Sequence, residues 1–336
     1  MSRNITSDDA VMAAWLSISL VIYMFRICIR PFIFKVFMYD ACHGFAAETL
    51  GFPFLPPYYG CKNGGREGFR KGANFAVAGA TALSSSFLAE MGIHNPTTNM
   101  SLGDQLSSFN DFLPPLCSSS SECKELLGNS LIVMGEIGGN DYITTMHSSK
   151  EQTSRKSDIL FLLSLILYSF GHQWAVTFLV SGNYPIRCTP AYLTSFQGSD
   201  KDKYDRSTGC LTWLNQFSEH HNELLRKEVE KIRNLRPGIN IIYVDNYNTA
   251  MRFYRSPEQF GSRETIRACC GGGGVYNYNS SRICGNPPVK QCCSDPSSFV
   301  SWDGVHYTEA TNKWIAMTVF EELVDIIPSL NKPQTS

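Results

Sequence analysis

Residues 130–141 read SLIVMGEIGGND, and this stretch decides the fold class. The apolar run at residues 130–135 is continuous rather than alternating, which is typical of a parallel strand covered on both faces. Two glycines then allow a tight turn, and Asn140 follows with a side-chain amide. A buried strand that ends in a polar loop is the unit with which open α/β sheets build their functional sites.

Three further segments have the same continuous apolar character, namely residues 74–79 (NFAVAG), 175–181 (AVTFLVS) and 239–245 (INIIYVD). Apolar residues at helical spacing between them predict a long helix that ends before Pro237-Gly238, and Thr308 is predicted to cap a last helix. The apolar run at residues 159–170 is too short to span a bilayer and is predicted to be a buried helix. Strands that alternate with helices predict an α/β sheet with right-handed crossovers.

The composition is that of a globular protein with a sizeable core, since the 336 residues are 43% hydrophobic and 18% charged. The formal net charge is −1, whereas a nucleic-acid-binding protein usually carries a basic excess, so no nucleic-acid partner is expected. The sequence contains no H-E-x-x-H, C-x-x-C or G-x-x-x-x-G-K-[ST], so neither a metal centre nor a bound cofactor is expected. The run Gly271–Gly274 lacks a following Lys-Ser/Thr and is interpreted as a flexible loop.

The N-terminal segment differs from the rest of the chain in having a long apolar run. Residues 11–25 (VMAAWLSISLVIYMF) are nearly all apolar. They are shorter than a bilayer-spanning helix, and Asp8 and Asp9 stand where a signal peptide carries positive charge. Three interpretations stay open: an uncleaved anchor that brings the chain into contact with a membrane, a signal peptide, and a buried segment.

Polar residues in three loops are candidates for chemistry. Gly79 ends the segment 74–79 and can present a bare backbone N–H, and Asn140 can present an amide. Asp303 and His306 are three residues apart just before the last helix. That spacing brings both side chains to one side of a turn, where the carboxylate can bond Nδ1 and leave Nε2 as a base. Taken alone, a motif of only two residues is more often a surface D-x-x-H without a function.

Taken together, these residues indicate a particular protein family more specifically than any of them does alone. Gly79 in NFAVAGATA, Asn140 in MGEIGGNDY, and Asp303 with His306 in WDGVHYTEA resemble the plant GDSL esterase/lipase family, a branch of the SGNH hydrolases. The resemblance covers about residues 41–328. It implies a three-layer α/β/α, flavodoxin-like fold with a mostly parallel sheet. It also implies a divergent apolar segment at residues 1–40, followed by an SGNH/GDSL hydrolase domain at residues 41–330.

The resemblance implies ester hydrolysis without a cofactor. In this family a serine attacks the carbonyl of a small acyl or lipid ester. By the resemblance, His306 would take the proton of that serine, and Asp303 would orient the imidazole. The Gly79 N–H and the Asn140 side chain would donate hydrogen bonds to the oxyanion, together with the N–H of the serine.

The sequence departs from the family at the nucleophile, because the Gly-Asp-Ser-Leu block that ends the family's first strand is absent. Ser101–Leu106 has Gly-Asp without a serine behind it, and Ser130 opens a strand at the wrong edge of the sheet. Ser17 and Ser19 lie within residues 15–25, a strand-like stretch that is a candidate for the place of the lost strand, and neither is expected to be the nucleophile. The chain is therefore predicted to be an esterase by family but inactive. The alternatives are a non-catalytic binding protein, or a mis-assembled gene product of an active esterase.

The cysteines predict a secreted protein, because disulfides require an oxidising compartment. Zinc is the rival explanation, but the spacings do not match the usual ligand pairs. The sequons at Asn4, Asn99 and Asn279 add an expectation of N-glycosylation. The cysteines in question fall into three groups: Cys117 and Cys123; Cys188 and Cys210; and Cys269, Cys270, Cys284, Cys292 and Cys293.

Overall fold

A computed structural model describes residues 21–23, 55–59, 69, 72–146, 177–198, 200–286, 289 and 292–326. The helix predicted at residues 159–170 lies outside the described residues, as does the N-terminal segment apart from residues 21–23. Among the described residues, no helix combines the length and the apolar character that a membrane span needs.

Five strands form the central sheet in the order β2-β1-β3-β4-β5. Strands β3, β4 and β5 pair in parallel, whereas β1 pairs antiparallel with both β2 and β3. Four strands therefore share one direction, and β1 runs against them in an interior position. The order is that of flavodoxin-like sheets. The strands are β1 (Val21–Tyr23), β2 (Gly72–Asn74), β3 (Leu131–Met134), β4 (Thr177–Ser181) and β5 (Asn240–Val244).

Helices cover both faces of this sheet. On one face Ile132, Phe178 and Ile241 pack in a core with side chains of α1, α2, α3 and α6. Their neighbours in the strands, Val133 and Leu179 among them, pack on the other face with α7 and α8. The predicted three-layer α/β/α fold is confirmed, and burial on both faces is the reason for the continuous apolar runs. The helices are α1 (Ser85–Glu90), α2 (Leu102–Phe112), α3 (Ser120–Gly128), α4 (Gly139–Met146), α5 (Pro190–Ser195), α6 (Thr212–Leu235), α7 (Asn246–Arg255) and α8 (Glu309–Ile326).

One predicted strand is displaced. Strand β2 ends at Asn74, where the predicted strand 74–79 was expected to begin. The Asn74 side chain accepts a hydrogen bond from the Ala76 N–H at 2.9 Å, which turns the chain out of the sheet. The Ala80 N–H then bonds the Val77 carbonyl in a tight turn. Strands β3, β4 and β5 lie within their predicted segments.

The helix boundaries follow local signals. Helix α6 ends at Leu235, before the predicted break at Pro237-Gly238. At the start of α8, the Thr308 Oγ1 accepts a hydrogen bond from the Thr311 N–H at 3.3 Å, which is the predicted cap. Strands β6 (Glu264–Ala268) and β7 (Phe299–Ser301) form a small parallel pair that leads into α8.

Eight cysteines of the predicted groups are joined in disulfides, which indicates an oxidising compartment. Cys292 is the one cysteine among the described residues that is outside a disulfide. The disulfides are Cys117–Cys123, Cys188–Cys210, Cys269–Cys293 and Cys270–Cys284.

Candidate active site

Asp303 and His306 form a close pair in the turn between β7 and α8. The distance between Asp303 Oδ2 and His306 Nδ1 is 2.5 Å, so the hydrogen bond expected from their spacing is present. The second carboxylate oxygen, Oδ1, accepts the backbone N–H groups of Val305 at 2.9 Å and His306 at 2.8 Å. The Asp303 side chain is only 6% exposed and that of His306 12%. The turn therefore fixes the carboxylate at both oxygens and presents the imidazole beside it.

The charge state of Asp303 follows from these contacts. Burial alone raises the pKa of Asp303, but the charge of His306 and the hydrogen bonds from its imidazole and from backbone N–H groups outweigh burial. The net pKa of Asp303 is lowered, so the carboxylate is ionised near neutral pH. An ionised carboxylate at Nδ1 holds the imidazole in one orientation and stabilises an imidazolium, which is what a general base requires of its neighbour.

The turn is supported by its immediate surroundings. The Trp302 N–H donates to the His306 carbonyl at 2.7 Å, and the Gly304 N–H donates to Ser301 Oγ at 3.1 Å. Gly304 has a φ of 98°, and a Cβ at this position would lie 2.4 Å from Cδ2 of Tyr278. The turn therefore needs glycine there, both for its backbone conformation and for the close approach of the Tyr278 ring.

The two expected oxyanion donors lie in segments that contact each other, Gly79 in the loop after β2 and Asn140 at the start of α4. The Asn140 Nδ2 donates to the Ala80 carbonyl at 2.7 Å, which fixes the amide beside the loop that follows β2. Gly79 has a φ of 76°, and its carbonyl accepts a hydrogen bond from Asn95 Nδ2 at 2.7 Å. A Cβ on Gly79 would lie 2.4 Å from Thr97 Cγ2, so this loop also requires glycine.

Asp141, in the first turn of α4, joins this helix to the loop after Gly79, a role that the sequence analysis missed. Its carboxylate is buried and accepts the Ala82 N–H at 2.8 Å through Oδ2 and the Leu83 N–H at 2.9 Å through Oδ1. Burial raises the pKa of Asp141 to about 7, although the backbone hydrogen bonds oppose that shift. The signal in the sequence was only the position of Asp141 directly after Asn140. Its partners are 59 and 58 residues away, so no local pattern identifies them.

Two further hydrogen bonds tie these segments to neighbouring helices. The Tyr142 hydroxyl of α4 bonds Nδ1 of the buried His221 in α6 at 2.6 Å. The Ala191 N–H of α5 donates to the Gly304 carbonyl at 2.9 Å. Burial raises the pKa of Tyr192, with smaller contributions from Glu136 and Tyr278. The Ala191 hydrogen bond therefore joins α5 to the Asp303 turn.

Strand β1 runs opposite to its neighbours in the sheet. Val21 pairs with Val133 near the end of β3, and Tyr23 pairs with Leu131 at its start. Strand β1 therefore begins at the edge where β3 ends and finishes at the opposite edge. Strand β1 lies within residues 15–25, the stretch that was expected to take the place of the family's first strand. By the resemblance, the nucleophile of the family follows the end of that first strand.

The other serines considered from the sequence have structural contacts or lie outside the described residues. Ser101 caps α2 in a reciprocal arrangement with Asp104. Ser130 is buried directly before β3 and donates to the Leu126 carbonyl at 2.6 Å. Ser17 and Ser19 lie outside the described residues.

The sheet has a flavodoxin-like order, polar segments meet at its carboxyl edge, and a carboxylate–imidazole pair precedes the last helix. Together these features define an α/β protein of the SGNH-hydrolase class. Comparison with known proteins agrees. The model of the family described as GDSL-like lipase/acylhydrolase matches residues 39–319. This chain belongs to that family.

The curated relatives are plant enzymes. A GDSL esterase/lipase of Arabidopsis thaliana is 50% identical over 279 residues, which are 81% of this chain and 69% of the relative. A second from the same plant is 48% identical over 286 residues, with 82% and 73% covered. The sinapine esterase of Brassica napus is 44% identical over 280 residues, with 81% and 70% covered.

Proposed function

We propose that this chain has the ester-binding site and general base of a GDSL carboxylic-ester hydrolase but hydrolyses esters at most very slowly. In this proposal His306 is the base, Asp303 orients it, and the Gly79 N–H and the Asn140 amide are oxyanion donors. The substrate is a small acyl or lipid ester, and no metal or cofactor takes part. The observation that carries the proposal is the contrast between the Asp303–His306 pair at 2.5 Å and the reversed direction of β1.

The physical reason is the geometry that nucleophilic attack demands. A serine must reach the imidazole at roughly 2.6–3.2 Å and stand at the carboxyl edge of the sheet. A strand that ends at the opposite edge cannot deliver the residue after it to that place. What remains is an imidazole that can activate water beside preorganised donors, and such residual catalysis lies orders of magnitude below that of a complete triad.

A non-catalytic ester-binding role is the second candidate, and the same reversal of β1 favours it. Binding needs the loops of Gly79, Asn140 and His306, whereas turnover also needs the serine. A mis-assembled gene product would carry the same features. An in-frame Gly-Asp-Ser-Leu exon upstream of the codon for residue 41 in the genome would identify that origin.

The test is hydrolysis of p-nitrophenyl acetate by the purified full chain, with a fluorophosphonate probe for a reactive serine. We expect turnover several orders of magnitude below that of an active GDSL relative and no covalent label. His306→Ala is the control that shows how much of the residual rate depends on the base. A rate equal to that of the relative, together with labelling, would refute the proposal, and Ser17→Ala and Ser19→Ala would then show whether either serine is responsible.

The proposal includes secretion, which the four disulfides and the plant relatives support. Asn99, one of the sequon asparagines, is exposed, so a glycan could be attached there without disturbing the core. Expression in a plant secretory system should give a protein in the medium that loses mass with a glycosidase. Retention of the whole protein in the cytosol would contradict this part of the proposal.

A further inference from the structure

Three sulfur atoms lie together beside the candidate site. The Sγ atoms of Cys270, Cys284 and Cys292 are all within 4.8 Å of one another. Cys270 and Cys284 are joined in a disulfide, whereas Cys292 is a free, partly buried thiol. A thiol at this distance from a disulfide is placed for thiol–disulfide exchange.

The backbone brings Cys292 to Cys270 in particular. The two residues face each other in an antiparallel bridge, and the Cys293 N–H donates to the Cys269 carbonyl at 2.9 Å. Cys269 and Cys293, next to them in the chain, already form a disulfide. Directly opposed residues of antiparallel segments have their Cβ atoms about 4.5–5.5 Å apart. The geometry therefore offers Cys270 two partners, Cys284 and Cys292.

We propose that Cys270, Cys284 and Cys292 form a thiol–disulfide exchange site in which Cys270 alternates between Cys284 and Cys292. The Cys292 thiol loses its proton to water, and the thiolate attacks Cys270 Sγ. The Cys270–Cys292 bond forms as the Cys270–Cys284 bond breaks, and the electron pair leaves on Cys284, which takes up a proton. One thiol and one disulfide exist before and after the step, so no oxidant or reductant is consumed.

The exchange acts on the loop that packs against the Asp303 turn. The Cys270–Cys284 disulfide closes a loop with a sequence separation of 14 residues, and this loop carries Tyr278. The Tyr278 ring packs so closely on Gly304 that a Cβ there would lie 2.4 Å from it. The Cys270 N–H also bonds the Trp302 carbonyl at 2.7 Å. Release of Cys284 removes the nearer covalent closure and loosens Tyr278 against the turn that holds Asp303 and His306.

The two pairings differ little in chain entropy. Closure entropy grows only with the logarithm of loop length, so the longer loop closed by Cys292 costs slightly more than the one closed by Cys284. Burial raises the pKa of the Cys292 thiol, so the thiolate is a minor species near neutral pH and the exchange is slow. Both states should therefore be populated after long incubation.

The tryptic peptides of this chain make the exchange directly measurable. Cleavage after Arg282 and Lys290 isolates Cys284 in residues 283–290, which contain no other cysteine. The full chain is purified without reductant and incubated for hours. It is then quenched in acid and unfolded in excess N-ethylmaleimide, which labels the free thiols. Finally the disulfides are reduced, and the thiols that they release are labelled with an isotopic form of N-ethylmaleimide. First-step N-ethylmaleimide on Cys284 reports the Cys270–Cys292 form, because Cys284 is the free thiol in that form. The matched control is Cys292→Ser.

We expect first-step labelling of Cys284 to be several-fold higher in the natural chain than in C292S. Equal labelling of Cys284 in the two proteins would overturn the proposal. So would a disulfide that joins Cys292 to Cys28, Cys42 or Cys61.

A second variant tests the effect on the loop and does not depend on the folding of C292S. In Cys284→Ser, Cys270 and Cys292 should both be protected from N-ethylmaleimide, because they form the alternative disulfide. Native trypsin cleavage after the exposed Arg282 should then be several-fold faster than in the natural chain. If Cys270 and Cys292 both react as free thiols in C284S, or cleavage is not accelerated, the proposed switch of the loop is wrong.

Discussion

The carboxyl edge of the central sheet and the position between β2 and β3 contrast sharply in this molecule. At the edge, Asp303 bonds His306, Asp141 binds the loop after Gly79, and Asn140 bonds Ala80. In the interior position, a strand of three residues, β1, runs against its neighbours. The edge has the hydrogen bonds expected of the proposed hydrolase site, whereas the interior position has a strand with the opposite direction.

The difference separates two requirements of acyl transfer. The proposed base and oxyanion donors are held by hydrogen bonds with Asp303, Ala80 and Asn95, which lie outside β1. A nucleophile depends on the direction and register of the strand that precedes it, because a displacement of about 1 Å can already reduce the rate a hundredfold. On the proposed function, absence of the family's first strand therefore removes more than a hydroxyl group.

The largest expected effect comes from restoring the strand. Replacing residues 1–40 by a family strand with its Gly-Asp-Ser-Leu block should raise esterase turnover by about 10³-fold or more, because the triad would then be complete. Single serine substitutions within residues 26–40 should give no such gain, since the preceding strand, β1, ends at the edge of the sheet where β3 begins. Turnover of p-nitrophenyl acetate measures both.

Controls make this comparison decisive. His306→Ala in the grafted chain, or alanine for the grafted serine, should return the rate to that of the parent. A single serine variant that equals the graft would show that the direction of the strand matters less than the hydroxyl, and it would remove the contrast between the two regions.

The next effect concerns the two buried aspartates of the edge, whose pKa shifts have opposite signs. Burial raises the pKa of Asp141 to about 7, so the stability it contributes is present at pH 4 and lost as pH rises through 7. The advantage of the natural chain over Asp141→Asn in free energy of unfolding should therefore shrink by up to about 4 kcal/mol between pH 4 and 8. Urea unfolding at several pH values measures it.

Asp303 should show the reverse slope. Its pKa is lowered, because the contacts with His306 and the backbone outweigh burial, so its stabilising contribution is present above the usual carboxyl pKa and lost as pH falls. Asp303→Asn should cost about 1.5–3 kcal/mol at pH 7 and less at pH 3, since hydrogen bonds to a charged group are lost. Slopes of the same sign for the two variants would contradict the electrostatics described for this edge.

The smallest expected effect is the difference in cost between two glycine substitutions, which tests how tightly the edge is packed. Gly79→Ala should destabilise the chain by about 2–4 kcal/mol, from the left-handed backbone together with the overpacking against Thr97. Gly261→Ala is the matched control, because Gly261 has a similar φ of 68° but nothing within 4 Å of the added Cβ. It should cost about 1–2 kcal/mol. Thermal unfolding measures both, and equal costs would mean that the loop yields freely around Thr97.

The amino-acid sequence by itself determined the features that depend on short stretches of chain. The continuous apolar runs identified β3, β4 and β5, because burial on both faces leaves no alternation. The spacing of Asp303 and His306 predicted their hydrogen bond, because a single turn brings them together. The capping of α8 by Thr308 is equally local. The one displaced strand, β2, ends early because the Asn74 side chain competes for the backbone at Ala76.

Only the tertiary structure decided the features that join distant segments. The reversed direction of β1 depends on pairing with β2 and β3, far along the chain, and a three-residue strand carries no mark of direction. The role of Asp141 depends on N–H groups 59 and 58 residues away. The approach of Cys292 to Cys270 and Cys284 likewise arises from the fold. A sequence records which groups are available, but contacts between remote groups are set by the packing of the whole sheet and its helices.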